Sequence, residues 1–127
     1  MPTRILVVDD HQMVREGLRL LLADEPDLQL VAEATDGQQA VAMVDELLPE
    51  VVIMDIGLPV MDGIEATHRI KEAHPEIAVI ALSAHSDACF VDEMKKLGAC
   101  GYVLKDMAFE LLVDAIRKCT VGETSFP

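Results

Sequence analysis

Val51-Val52-Ile53-Met54-Asp55-Ile56-Gly57-Leu58-Pro59-Val60-Met61-Asp62-Gly63 is the stretch that decides the fold. Its opening residues form a short apolar run, which reads as a strand buried on both faces. The run ends in a single carboxylate, Asp55, and a turn containing Gly57 and Pro59 follows. Asp62-Gly63-Ile64-Glu65 then has the Asp-x-x-Glu pattern of a helix start, with Asp62 as its cap. A charged group at the exit of a buried strand is costly unless something pairs with it or uses it. In open parallel sheets, ligands bind at the carboxyl ends of the strands. Asp55 therefore needs partners, and other strand exits supply them.

Outward from this stretch, strand and helix alternate five times. Ile5-Leu6-Val7-Val8 is a compact apolar strand ending in Asp9-Asp10, and Val14, Leu18, Leu21 and Leu22 recur after it at helical spacing. Residues 28–34 read as a second strand, polar enough for a sheet edge. Asp36-Gly37-Gln38-Gln39 predicts a capped helix start, with Val41, Val44 and Leu48 as the apolar face and Pro49 at the end. The helix after Asp62 runs to about Ala73, before Pro75. Residues 77–82 form a fourth strand that exits into Ser83-Ala84-His85, and the next helix turns Phe90, Val91, Met94 and Leu97 inward. Gly98 and Gly101 bracket a turn into Tyr102-Val103-Leu104, a fifth strand exiting into Lys105-Asp106. Phe109, Leu112, Val113 and Ile116 give the last helix its face. Strands separated by helices with short connections predict a parallel sheet covered on both faces. A doubly wound α/β sheet of order 2-1-3-4-5 fits best, with a crevice between strands 1 and 3.

With 127 residues the chain is long enough for one domain with a real core. Residues 1–120 are expected to form it, and 121–127, which lose periodicity, to begin a linker or tail. Only 3% of residues are aromatic, so the core is aliphatic, and the methionines read mostly as part of it. No apolar run approaches the ~18 residues of a membrane span, and the start lacks the pattern of a signal peptide. A cytoplasmic location follows as an expectation. Cys89, Cys100 and Cys119 lack metal-ligand spacing, so free thiols in a reducing cytosol are expected. The net charge of −13 argues against nucleic acid binding by this chain itself.

This sheet order would gather Asp9, Asp10, Asp55, Ser83 and Lys105 at one end. Two carboxylates at ~4 Å repel by about 4 kcal/mol at an effective dielectric of ~20. They raise one another's pKa values unless a cation sits among them. Oxygen ligands with room for water suit Mg²⁺. Carboxylate, hydroxyl, ammonium and metal together suit acceptance of a phosphoryl group, with Asp55 as the nucleophile and with lysine and metal neutralising the phosphoryl oxygens.

The chain resembles the receiver domain of a bacterial two-component response regulator. The resemblance rests on Asp9-Asp10, on Asp55 in Met-Asp-Ile-Gly-Leu-Pro, and on Met61-Asp62-Gly63, Ser83-Ala84 and Gly101-Tyr102-Val103-Leu104-Lys105. Each motif alone is weak, but all five in order make a specific signal. The resemblance implies a flavodoxin-like fold of five strands and five helices. It implies Asp55 as phosphoacceptor, Mg²⁺ on Asp10, Asp55 and the Gly57 carbonyl, and Asp9 as a further ligand or as support behind the ligands. It assigns Ser83 and Lys105 to the phosphoryl group, contact through the backbone to Ala84, and the role of switch aromatic to Tyr102. It implies a sensor histidine kinase as phosphodonor, phosphorylation-dependent homodimerisation, and self-contained transfer and dephosphorylation rather than turnover of an external substrate. Leu104-Lys105-Asp106 and Asp9-Asp10-His11 are most similar to the NarL/LuxR-type subfamily, in which a C-terminal helix-turn-helix domain binds DNA. Ser83 stands where many relatives have Thr, and Asp106 where many have Pro.

Plainer readings stand beside these. Asp9 or Asp10 alone could cap the first helix, and Ser83 and Lys105 alone would be ordinary loop residues. The four histidines are scattered and suggest no ligand set, although His85 lies two residues beyond Ser83 and is a candidate to brush the phosphoryl group. A phosphatase of the haloacid-dehalogenase type would need a second Asp where Gly57 stands. A phosphorylation-independent interaction module would have no need of the complete constellation, and a flavin binder would need a phosphate-cradling loop after strand 1.

Overall fold

The computed structural model describes residues 2–84 and 88–127. Five parallel strands, β1 (Thr3–Val8), β2 (Leu28–Ala34), β3 (Val51–Asp55), β4 (Ala78–Ser83) and β5 (Gly101–Leu104), lie in the order β2-β1-β3-β4-β5. The helices are α1 (Gln12–Ala23), α2 (Gly37–Leu47), α3 (Gly63–Ala73), α4 (Ala88–Lys96) and α5 (Ala108–Thr120). This is the flavodoxin-like arrangement expected, with β2 at one edge as its polarity suggested.

Strand alternation divides the core in two. Ile5, Val7, Val51, Ile53, Ile80, Leu82 and Val103 pack under α1 and α5, against Leu18, Leu22, Leu112 and Ile116. Leu6, Val8, Val52, Met54, Val79 and Ala81 pack under α2, α3 and α4, against Val44, Ile70 and Met94. Because β3 is central, every residue of it is buried, hence its unbroken apolar run.

Two helix caps behave as expected. Asp36 Oδ1 accepts the Gln39 N–H at 2.8 Å, and Asp62 Oδ1 accepts the Glu65 N–H at 2.9 Å. The Gln39 side chain turns back to the Thr35 N–H at 3.0 Å. After α2 the chain turns through Leu48 in the left-handed region (φ 47°) just before Pro49.

Two expectations need correction. Cys100 and Cys119 are joined as a disulfide, and Cys89 lies outside it. A reading by sequence spacing misses the pair because it separates residues that the β5–α5 return brings together. Phe109 is 63% exposed and sits over Gly17 of α1 instead of facing inward. The methionines are mostly core, as expected: Met54 and Met94 are buried and Met43 and Met61 pack against the same cluster, whereas Met13 and Met107 are exposed. Residues 121–127 fold back on the domain as a tail: Ser125 bridges to Gly101 on the free edge of β5, and Phe126 packs against the core beneath α4.

The turn after β3 is held by two glycines packed against backbone. A Cβ on Gly63 would meet the Asp55 carbonyl oxygen at 2.1 Å, and one on Gly37 would meet that of Met61 at the same distance. A Cβ on Gly57 would have only Asp55 Oδ1 within reach, at 3.8 Å. Gly63→Ala is therefore expected to cost about 2–3 kcal/mol by overpacking, and Gly57→Ala under ~1 kcal/mol. Urea unfolding of the two variants checks this order; equal losses would contradict it.

Candidate functional site

Register alone brings the charged exits together. Val8 pairs with Met54, so Asp9 follows beside Asp55, and Asp55 in turn pairs with Leu82. Ser83 pairs with Leu104, so Lys105 emerges one residue beyond it. By alternation Asp9, Asp55 and Lys105 share the α1/α5 side, whereas Ser83 and Tyr102 share the other.

Lys105 Nζ lies 3.0 Å from Asp55 Oδ2 and 3.1 Å from Asp9 Oδ2. Both carboxylates are buried, Asp9 at 0% and Asp55 at 3% exposure. Asp55 Oδ1 accepts the Gly57 N–H at 3.0 Å, so each oxygen of the carboxylate has one donor. Asp9 Oδ1 accepts the His11 N–H at 2.8 Å, while Asp9 Oδ2 makes no hydrogen bond of good geometry and relies on the nearby ammonium. Arg15 Nη1 donates to the Asp9 carbonyl at 2.8 Å and holds the start of the loop.

Burial pushes the Asp55 carboxyl above the usual carboxylate range; the Gly57 N–H and Lys105 oppose the shift and the Asp9 charge reinforces it. Burial works against the Lys105 ammonium too, but its hydrogen bond to Asp55 and its ion pair with Asp9 outweigh it and raise its pKa. One ammonium thus serves two desolvated carboxylates.

Asp9, Asp10, His11 and Asp55 each bring a ligand atom within 4.8 Å of the others, a cluster that can hold a metal ion. The buried Asp9 Oδ2 without a hydrogen bond is the kind of donor a cation would satisfy. A small crevice of about 170 Å³ opens over these groups, lined by Asp55, Gly57, Ser83, Ala84, Lys105 and His11. A larger one of about 330 Å³, at Leu48, Glu50, Ile77 and Cys119, lies at the opposite end of the sheet, away from this cluster.

The structure thus unites Asp9, Asp10, Asp55, Gly57, Ser83, Ala84 and Lys105 at one end, as the strand exits predicted. It also corrects the view of the histidines. His11 Nδ1 is 3.0 Å from Asp9 Oδ1, 3.3 Å from Asp10 Oδ1 and 3.3 Å from Lys105 Nζ. Its position directly after Asp10 was the available signal. His85 lies outside the described residues. Tyr102 sits apart from the crevice, already inward at 4% exposure.

A model of the response regulator receiver domain family matches residues 5–117. The chain belongs to this family: it is the receiver domain of a two-component response regulator of the NarL/LuxR type. It is 40% identical over 119 residues to the transcriptional regulatory protein DegU of Brevibacillus brevis, covering 94% of this chain and 50% of that one. It is 38% identical over 120 residues to the response regulator GacA of Pseudomonas viridiflava, covering 94% and 56%. The chain spans about half the length of these curated relatives. Among solved structures, a LuxR-family two-component response regulator from Aurantimonas sp. SI85-9A1 superposes with a TM-score of 0.93 at 36% identity, covering 98% of this chain and 89% of that one. The receiver domain of NarL from Mycobacterium tuberculosis gives 0.91 at 31%, covering 96% and 98%.

The raised pKa of Asp55 has a stability consequence. The native state holds this proton to higher pH than the unfolded chain, so stability falls as pH rises from the ordinary carboxylate pKa through the raised one. The penalty stands in full once pH lies above the raised value. Asp55→Asn, which leaves Lys105 its contact with Asp9, is expected to stabilise the fold by about 0.5–2 kcal/mol at pH 7. The gain should shrink as Asp55 protonates. Urea melts at neutral and acid pH read it; a less stable variant at pH 7 would contradict the account.

Proposed function

We propose that this domain is a phosphorylation-activated switch that accepts a phosphoryl group on Asp55. The observation that carries the reading is the buried Asp55 carboxylate held 3.0 Å from Lys105 Nζ at the mouth of a crevice also lined by Ser83 and Ala84. Asp55 attacks phosphorus, the bond from phosphorus to the donor breaks, and the leaving group takes up a proton. Lys105 turns from the two carboxylates toward the new phosphoryl oxygens, and the Ser83 hydroxyl and Ala84 N–H supply donors. Asp10, Asp55 and the Gly57 carbonyl, with Asp9 as ligand or support, would hold Mg²⁺, which supplies charge neutralisation at the transferring group. The same groups would support later dephosphorylation, without turnover of an external substrate.

The phosphodonor is a sensor histidine kinase and the location cytoplasmic. Among the described residues no helix is long and apolar enough to cross a membrane. Residues 1–120 act as the switch and 121–127 lead toward an output domain outside this chain. The relatives named for transcriptional regulation are about twice as long, so DNA binding would belong to a C-terminal domain. Ser83 and Tyr102 lie on the same side of adjacent strands β4 and β5. A hydroxyl drawn toward Asp55 is therefore felt at the Tyr102 face. Shifting a two-state equilibrium from 1:99 to 99:1 takes ~5.5 kcal/mol. A charged contact and a hydrogen bond supply only ~1.5–3 and ~0.5–1.5 kcal/mol. Homodimerisation supplies the remainder.

Incubation with a small acyl phosphate and Mg²⁺, read by intact mass, tests this. One phosphoryl group is expected on wild type, none on Asp55→Asn or after chelation, and at least ~10-fold slower labelling for Asp10→Asn. Phosphorylated wild type should also sediment as a dimer. Equal labelling of Asp55→Asn would overturn the assignment.

A further inference from the structure

Cys100 immediately precedes β5 and Cys119 lies in the last turn of α5, so their disulfide sits at the end of the sheet opposite Asp55. It joins residues 19 positions apart and so encloses all of β5 and Lys105. The segment after α5 returns to the same place. Gly122, at φ 85°, reverses the chain, and its N–H reaches the Cys119 carbonyl at 3.2 Å. The Ser125 N–H then donates to the Cys100 carbonyl at 2.8 Å, and the Tyr102 N–H donates to the Ser125 carbonyl at 3.0 Å. Lys95 Nζ stands 4.9 Å from the Phe126 ring centroid and closes the far side. The disulfide therefore joins the residue where the return begins to the residue where it lands.

The site suits both oxidation states. Cys100 Sγ is 3.4 Å from the Val79 carbonyl oxygen, an acceptor for a reduced thiol. Cys119 lines the crevice of about 330 Å³, whose walls include Glu50 and Glu76. Two carboxylates there disfavour anionic reagents and admit a small neutral one. A disulfide in a cytosolic protein is usually transient or redox-sensing rather than structural. In this respect the inference rests on the cytoplasmic receiver reading above.

We propose that Cys100 and Cys119 form a reversible thiol–disulfide site that takes hydrogen peroxide as oxidant and a dithiol as reductant, and that sets how firmly residues 121–127 are held on the β5 edge beside Tyr102. One thiolate attacks a peroxide oxygen, the O–O bond breaks, and a sulfenic acid and the first water form. The second thiol attacks that sulfur, the S–S bond forms, and the second water leaves. Two electrons pass from the thiols to peroxide, and the two thiol protons end in water. A dithiol reverses the step by exchange and becomes a disulfide itself. Oxidation pins both ends of the return; reduction leaves it to backbone hydrogen bonds and the packing of Phe126.

The test uses this chain in a Cys89→Ser background, so that only the paired thiols react. Alkylation and mass analysis should find both cysteines labelled after dithiothreitol, neither after peroxide, and both again after renewed reduction. Amide exchange at Tyr102 and Ser125 should be ~10-fold or more slower in the oxidised form. In Cys119→Ser, peroxide should leave exchange unchanged; if that variant fails to fold, the two redox states of the parent carry the comparison. Labelling of both cysteines after peroxide, a loss of label that no dithiol restores, or equal exchange in the two states would overturn the proposal. Acyl-phosphate labelling of Asp55 is scored in the same samples, so failure of the phosphoacceptor role is distinguished from failure of the thiol site.

Discussion

One ammonium shared by two buried carboxylates governs this molecule. Lys105 reaches Asp55 and Asp9 at 3.0 and 3.1 Å, and neither carboxylate has solvent to fall back on. Such an arrangement is under-neutralised by construction. Two like charges at this range repel by several kcal/mol even at an effective dielectric of ~20. The exit loops of β1, β3 and β5 must therefore hold their geometry against electrostatic pressure. They do so with the Gly57 N–H on Asp55, the Arg15 guanidinium on the Asp9 carbonyl, and glycines packed against the backbone of the β3 turn. The same imbalance makes a cation welcome and leaves Lys105 ready to change partners.

The site straddles the sheet. Asp9, Asp55 and Lys105 project toward the side covered by α1 and α5, whereas Ser83 and Tyr102 project toward the side covered by α2, α3 and α4. Groups from both layers therefore meet at the crevice over Asp55. β5 is the mechanical link: it ends in Lys105, carries Tyr102, and receives Ser125 along its free edge. Four residues of strand thus join the Lys105 end of the site to the β5–α5 surface.

Most of this was legible in the chain because strand exits obey simple rules. All five strands end in or just before a residue with a charge or hydroxyl, four of those residues meet at the site, and the sheet order follows from alternation and short connections. The caps at Asp36 and Asp62 were equally plain, since a local side-chain bond needs only local sequence. What escaped was long-range or singular. His11 owes its role to where the turn after β1 points, which no spacing rule encodes. Phe109 fits the apolar period of α5 but lies at the margin of its buried face, where Gly17 leaves room for the ring. Cys100 and Cys119 meet because a strand start and a helix end lie at the same pole of the sheet. The docked tail shows no periodicity because one bridge and one aromatic suffice to hold it.

The central claim is that Asp55, among three neighbouring aspartates, is the group that carries phosphate. Borohydride reduction of an aspartyl phosphate yields homoserine, so reductive trapping after acyl-phosphate treatment, followed by peptide sequencing, reads the position directly. The account predicts homoserine at residue 55 and aspartate retained at residues 9 and 10. Homoserine at Asp9 or Asp10, or no conversion in protein that has gained a phosphoryl group, would contradict it.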